Sequence, residues 1–104
     1  PSYPPPEPIW TESIIGCNVT FRWSWSGTLA EDEWFAVRVG REGEPPHSVS
    51  WTKETTHVHT LDDGGEYKWM IVICRGDPAM GNCEELAVSG QEVFYFGGCG
   101  GGDW

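Results

Sequence analysis

Glu66-Tyr67-Lys68-Trp69-Met70-Ile71-Val72-Ile73-Cys74 is the densest apolar run in the chain. Gly64-Gly65 precedes it and Arg75-Gly76-Asp77-Pro78 follows, so both ends carry chain-breaking residues. Nine residues is a strand length and short for a buried helix. β-Branched and aromatic side chains fill the run, which favours an extended backbone. Alternation puts Tyr67, Trp69, Ile71 and Ile73 on one face and Lys68, Met70, Val72 and Cys74 on the other, and that second face is only partly polar. The run is expected to be a central strand on which a β-sandwich closes.

Working outward, Asn18–Ser26 is the clearest alternating segment. Val19, Phe21, Trp23 and Trp25 point one way, and Thr20, Arg22, Ser24 and Ser26 the other, as in a strand with one wet face. Trp34–Val39 is a strand with Phe35, Val37 and Val39 inward. Ser48–Thr52 follows with Val49 and Trp51, and Thr55–Leu61 is β-branched but more polar. A short first strand is expected near Ile9–Ile15. Glu92–Phe96 is the firm part of the last strand, and Glu84–Val88 either begins it or leads into it irregularly. Nothing between Trp10 and Phe96 has helical periodicity. Short strands separated by Gly, Pro and acidic turns argue an all-β sandwich.

The chain has 104 residues, enough for one domain with a modest core, and its seven Trp, four Phe and three Tyr give large burial per side chain. Three segments are expected: a Pro-rich arm or linker at 1–8, a sandwich at 9–96 and a Gly-rich tail at 97–104. The arm holds five of the eight prolines, a density that favours semi-rigid polyproline II. The chain starts at Pro1 without Met, as expected of a mature product, a fragment or one module of a longer protein. Net charge is −10, from six basic and sixteen acidic residues, which argues against nucleic acid and anionic membrane surfaces. No apolar stretch approaches the roughly 20 residues of a membrane-spanning helix. Four cysteines in a short acidic chain point to two disulfides and an oxidising compartment. Zinc competes poorly, because no Cys-x-x-Cys spacing occurs.

Val19-x-Phe21-x-Trp23 resembles the second strand of fibronectin type III domains. Leu61, followed six residues later by Tyr67, resembles that family's tyrosine corner, in which the hydroxyl bonds to upstream backbone. The resemblance covers about Ile9 to Phe96. It departs at Asp63 and Gly65, where the family often has Pro and Thr, and in the extra cysteines and the Gly-rich end. It implies a seven-stranded antiparallel β-sandwich. With that strand order, Cys17 and Cys99 meet at one pole and Cys74 and Cys83 flank one loop at the other, implying the pairs Cys17–Cys99 and Cys74–Cys83. The fold carries no function with it, because this scaffold hosts many unrelated roles.

Several residues could carry a function. Arg75-Gly76-Asp77 falls in the loop that presents this tripeptide in one fibronectin module, by resemblance, and Asp77 on an integrin's metal would be the chemistry; Gly-Asp-Pro is also ordinary turn composition. Asn18-Val19-Thr20 is an N-glycosylation sequon, with Asn18 outward if Val19 is inward. His57 and His59 share a strand face without a visible third ligand, so solvent-facing histidines are expected and no metal is assigned. Trp23, Trp25 and Trp69 are expected in the core; Trp10, Trp34 and Trp51, if exposed, would offer flat faces to a sugar. No nucleophile–base–acid set and no phosphate-binding glycine loop is present, so neither catalysis nor a cofactor is expected.

The proline arm and the glycine tail cannot order themselves alone. Either the module's own surface or a neighbouring copy is expected to hold them, with Tyr3, Pro4, Pro5, Pro6, Trp10 and Trp104 as contact elements. The leading expectation is a non-enzymatic extracellular or cell-surface structural module that contacts copies of itself or neighbouring modules, including in a filament. The alternative is a binding or adhesion module for a glycan or a receptor.

Overall fold

The structure is a computed structural model that describes residues 3–98, with backbone alone for residues 10–14. Eight antiparallel strands build it: β1 (Glu7–Ile15), β2 (Asn18–Ser24), β3 (Glu33–Arg41), β4 (His47–Thr52), β5 (Thr56–Thr60), β6 (Gly65–Arg75), β7 (Glu84–Val88) and β8 (Glu92–Phe96). β1, β2 and β5 form one sheet in the order β1-β2-β5. The other runs β4-β3-β6, with both β7 and β8 on the free side of β6. Among the described residues there is no helix.

The expected seventh strand is therefore present in two pieces. β8 pairs with β6 from Gly65 to Trp69, and β7 pairs with it from Val72 to Arg75. Between them Ser89 bridges the gap with its own atoms. Its backbone N–H donates to Ile71 O, and its hydroxyl accepts from Ile71 N–H, both at 2.9 Å. A buried serine thus satisfies β6 where Gly90 interrupts the ladder. Glu84–Val88 begins the last strand, and the count rises from seven to eight through one break.

β6 is the central strand: β3 covers one edge from Tyr67 to Arg75, and β7 and β8 cover the other. Its inner face meets β2. Phe21 lies 4.9 Å from Trp69 and 5.6 Å from Phe94, ring centre to ring centre, both pairs inclined. Val19, Phe21, Trp23, Phe35, Val37, Val39, Trp69, Ile71, Ile73 and Phe96 are buried between the sheets, as the alternation predicts. Trp25 differs. β2 ends at Ser24, and Trp25 sits half-buried beyond it, packed on the core's edge. The outer face of β6 holds a second small cluster, where Ala36, Val72 and Cys74 are buried beneath Trp51, Met70 and Cys83. The Cys74–Cys83 disulfide closes this cover. Cys17 is also disulfide-bonded; its expected partner Cys99 lies outside the described residues.

The tyrosine corner is formed. Tyr67 donates its hydroxyl to Asp63 O at 2.5 Å, so the departures from the family pattern leave the acceptor in place. Arg41 braces the corner. It donates to the Tyr67 hydroxyl (3.2 Å) and to Gly64 O (3.0 Å), and its guanidinium carbon lies 5.3 Å from the Tyr67 ring centre. Gly65, at φ +145°, lets Arg41 approach: a Cβ there would stand 2.9 Å from the guanidinium.

Tyr67→Phe removes the hydroxyl but not the ring. It should lower unfolding free energy in urea by about 1–2 kcal/mol, the usual value of one hydrogen bond whose removal leaves a partner unsatisfied. Replacing Cys74 and Cys83 together with Ala should cost about 3 kcal/mol, set by the short loop the bond closes. An unchanged urea midpoint in either variant would contradict the corresponding role.

Candidate functional site

The site is the pole where the arm enters. Glu33 opens β3 in phase with the inward residues Phe35, Val37 and Val39, and Arg75 closes β6 in phase with Ile71 and Ile73. The β3–β6 register pairs them directly. A carboxylate in an inward position needs partners, and Glu33, only 2% exposed, has them on both oxygens. Oε1 accepts from Ala30 N–H at 2.8 Å. Oε2 accepts from the Tyr3 hydroxyl and from Arg75 at 3.3 Å. Arg75 reaches Glu84 (3.6 Å) and Asp32 (3.9 Å) as well. The Ala30 N–H and then the Tyr3 hydroxyl hold the Glu33 carboxyl below its ordinary 4.5, against the opposing effect of burial, with Arg75 adding to the shift. The same bond to Glu33 raises the Tyr3 hydroxyl above its ordinary 10.0.

Lys53, in the β4–β5 connection, holds the loop that carries Glu33. Its ammonium donates to the carbonyls of Ala30 (2.9 Å), Glu31 (2.9 Å) and Glu33 (2.5 Å), using all three protons, and lies 4.2 Å from the Trp34 ring centre. Gly76 N–H donates to Asp32 O at 2.9 Å, tying the β6–β7 loop to the same structure.

The arm lies on this surface. The Tyr3 ring stacks on Trp25 with centroids 6.3 Å apart and planes 9° from parallel. Trp25 Nε1–H donates to Pro4 O at 2.7 Å. Pro6 is fully buried, and Pro4 and Pro5 are exposed. A cleft of about 390 Å³ runs beside the arm, lined by Pro4, Pro5, Glu7, Ser24, Trp25 and Ser26. Tyr3, Pro4 and Pro6 contact the module's own surface. β1 begins at Glu7, inside the segment 1–8 read as arm; Pro8 is tolerated because β1 is an edge strand.

The other expected residues are scattered. Arg75-Gly76-Asp77 lies at the same pole, with Arg75 directed to Glu33. Gly76, at φ +155°, has Asn82 O where a Cβ would go (2.1 Å), and Asp77 Oδ1 accepts from Ala79 N–H at 2.9 Å. Arg75 and Gly76 are half-buried and Asp77 is exposed. Asn18 is at the far pole, exposed, its Oδ1 accepting from the Thr60 hydroxyl at 2.9 Å. Trp34 and Trp51 are half-buried. The Trp10 side chain and Trp104 lie outside the described residues. No group of three or more metal-ligating side chains occurs among the described residues.

His57 and His59 correct the sequence reading. They pair across the ladder with Phe21 and Val19, so they face inward at the sandwich's open side and are half-buried rather than solvent-facing. Their rings stack at 6.1 Å. His59 and His47 share a cleft of about 300 Å³ with Arg41, Glu44, Asp62 and Asp63. Burial, and then a neighbouring imidazole, holds both His57 and His59 below 6.5. The signal was present in the sequence: His57 and His59 are in phase with inward Leu61. Glu33 and Arg75 likewise extend inward-facing apolar series. Lys53 and the Trp25 platform left no comparable mark.

Two windows of acid sensitivity result. The histidines favour the native state when neutral, so stability should fall as pH drops below 6.5, and His57→Leu with His59→Leu should remove that loss. Glu33 favours it when ionised, so its contribution is complete above 4.5 and disappears as pH falls through its depressed value. Glu33→Gln should flatten this lower window in thermal melts and leave the upper one. A profile of Glu33→Gln parallel to the wild type below 4.5 would show that the carboxylate does not hold this pole. Ionisation of Tyr3 acts oppositely, its share being lost as pH rises through a value above 10.0.

Neither a family model nor a curated protein matches this sequence. Among solved structures, the chain is similar to the solution structure of the fibronectin type-III domain of human fibronectin type III domain containing protein 3. The TM-score is 0.71 at 11% identity, over 98% of this chain and 93% of that one. At that identity the likeness is one of fold, and it agrees with the corner, the strand order and the two-sheet core: the chain is a fibronectin type III-like β-sandwich.

Proposed function

We propose that this is a non-enzymatic protein–protein interaction module of an extracellular or cell-surface protein, joining neighbouring modules or copies of itself through its terminal segments. One observation carries the reading. The arm is fixed by side-chain-specific contacts, Tyr3 to Glu33 and Trp25 to Pro4, and does not merely rest on an apolar surface. A segment bound so selectively is a recognition element. The disulfide-bonded cysteines support an oxidising compartment. Four of the six basic residues, Arg38, Arg41, Lys53 and Arg75, are engaged within the fold, which leaves little cationic surface for polyanions.

Light scattering over a concentration series up to about 1 mM, the effective concentrations at which short tethered segments compete, tests this. The mass of the intact chain should rise above that of one chain, while a variant lacking residues 1–6 should stay at one. Equal masses for both at every concentration would rule out assembly through the arm.

A further inference from the structure

We propose that the groove formed by Trp25, Glu33 and Arg75 is a recognition site for a tyrosine–proline segment, filled in cis by the chain's own arm and able to take the same segment from a second copy. This rests on the assembly reading above and names its site and ligand.

The groove has the parts such a ligand needs. Proline-rich segments bind flat aromatic surfaces at little entropic cost, because their backbone is already extended and needs only a donor for its free carbonyl. Trp25 supplies both, with its ring under Tyr3 and its N–H on Pro4 O. Glu33 adds discrimination. Its buried carboxylate accepts the tyrosine hydroxyl, and without that donor one lone-pair site would be left dry beside Arg75. Phenylalanine would fill the space but not that site. Pro6 fills the remaining apolar recess. The groove is also braced by contacts that do not involve the arm. Lys53 pins three carbonyls of its loop, and β3–β6 pairing fixes Glu33 against Arg75.

The second copy is indicated by how the arm is attached. Tyr3, Pro4 and Pro6 hold the arm in place, and the β1–β2 ladder begins only at the pair Glu7–Ser24. The segment can leave without breaking a strand bond. Five residues of extended chain span roughly 16 Å, enough to reach the groove of a copy facing it pole to pole. Such a pairing is self-complementary: each copy gives an arm and receives one, and the arm makes the same bonds in trans as in cis. Cis occupancy competes at about millimolar effective concentration, so exchange is weak until the cis arrangement is removed.

The test uses two full-length variants. Tyr3→Ala removes the ring from Trp25 and the donor from Glu33, and gives an acceptor. Trp25→Ala removes the platform and gives a donor whose arm is free. Each alone should run as a single chain, and their mixture should form a one-to-one complex. The acceptor should also bind a synthetic peptide of residues 1–8 saturably, seen as a shift of the Trp25 indole N–H resonance. Binding should weaken about tenfold when the peptide carries Tyr3→Phe, and equally when the acceptor also carries Glu33→Gln, the loss expected for one charge-assisted hydrogen bond. Should Tyr3→Ala fail to fold, the variant lacking residues 1–6 serves as acceptor. Absence of saturable peptide binding, or binding indifferent to the tyrosine hydroxyl, would overturn the site. Peptide binding without a complex between the two variants would overturn the second copy as its source. A wild-type chain that stays monomeric in the concentration series bears on assembly alone, so the two readings fail separately.

Discussion

β6 is bonded along both edges and covered on both faces, and the rest of the molecule follows from meeting that demand. Two edges need β3 on one side and a strand on the other, which the chain supplies in two pieces with Ser89 spanning the break. Two faces need two covers. The inner cover is the aromatic layer of β2, with Phe21 against Trp69. The outer cover is small and local, a disulfide, Trp51 and Met70 over Val72 and Cys74. A chain of this length cannot build a third layer, so a covalent staple takes its place.

The two poles solve a shared problem by different means. Where strands end, inward-facing positions run out of core. At one pole the chain places Tyr67 and lets Arg41 brace it, a neutral hydroxyl on a backbone carbonyl with the cation outside. At the other it places a charged pair, Glu33 and Arg75, and that choice has consequences. A buried carboxylate needs several donors, the loop has one to give from Ala30, and Arg75 is shared with Asp32 and Glu84. The hydroxyl of Tyr3 completes the set, which is why the N-terminal segment is drawn into the fold. The Tyr3 side chain comes from a segment that precedes β1, whereas Tyr67 and Arg41 both lie within strands.

The Arg75-Gly76-Asp77 loop shows the difference between a motif and its surroundings. In sequence it suggests a projecting adhesion loop. In the fold the arginine turns back to neutralise Glu33, the glycine makes room for Asn82 O, and the aspartate caps a turn. The three residues thus have different neighbours, and Asp77 stays exposed.

Alternation and breakers determined the strands and the inward residues of β2, β3 and β6; the family resemblance then implied the tyrosine corner and, through its strand order, the Cys74–Cys83 bridge. Most of these are local features: burial on a pleated sheet repeats every second residue, and two cysteines flanking one short loop are held near each other by the chain itself. The candidate site was legible only in fragments. Tyr3 and the prolines stood out, yet nothing marked Trp25 as their platform, since it sits in phase with core residues and becomes a surface only because β2 stops at Ser24. Glu33 read as part of a charged loop, Arg75 as part of an adhesion tripeptide, and nothing marked Lys53. Lys53 reaches Glu33 across 20 residues and Arg75 reaches it across 42, and only the packing of loops at one end of the sandwich brings them together. Polarity in a sequence reports what a side chain needs; tertiary structure decides which distant group satisfies it.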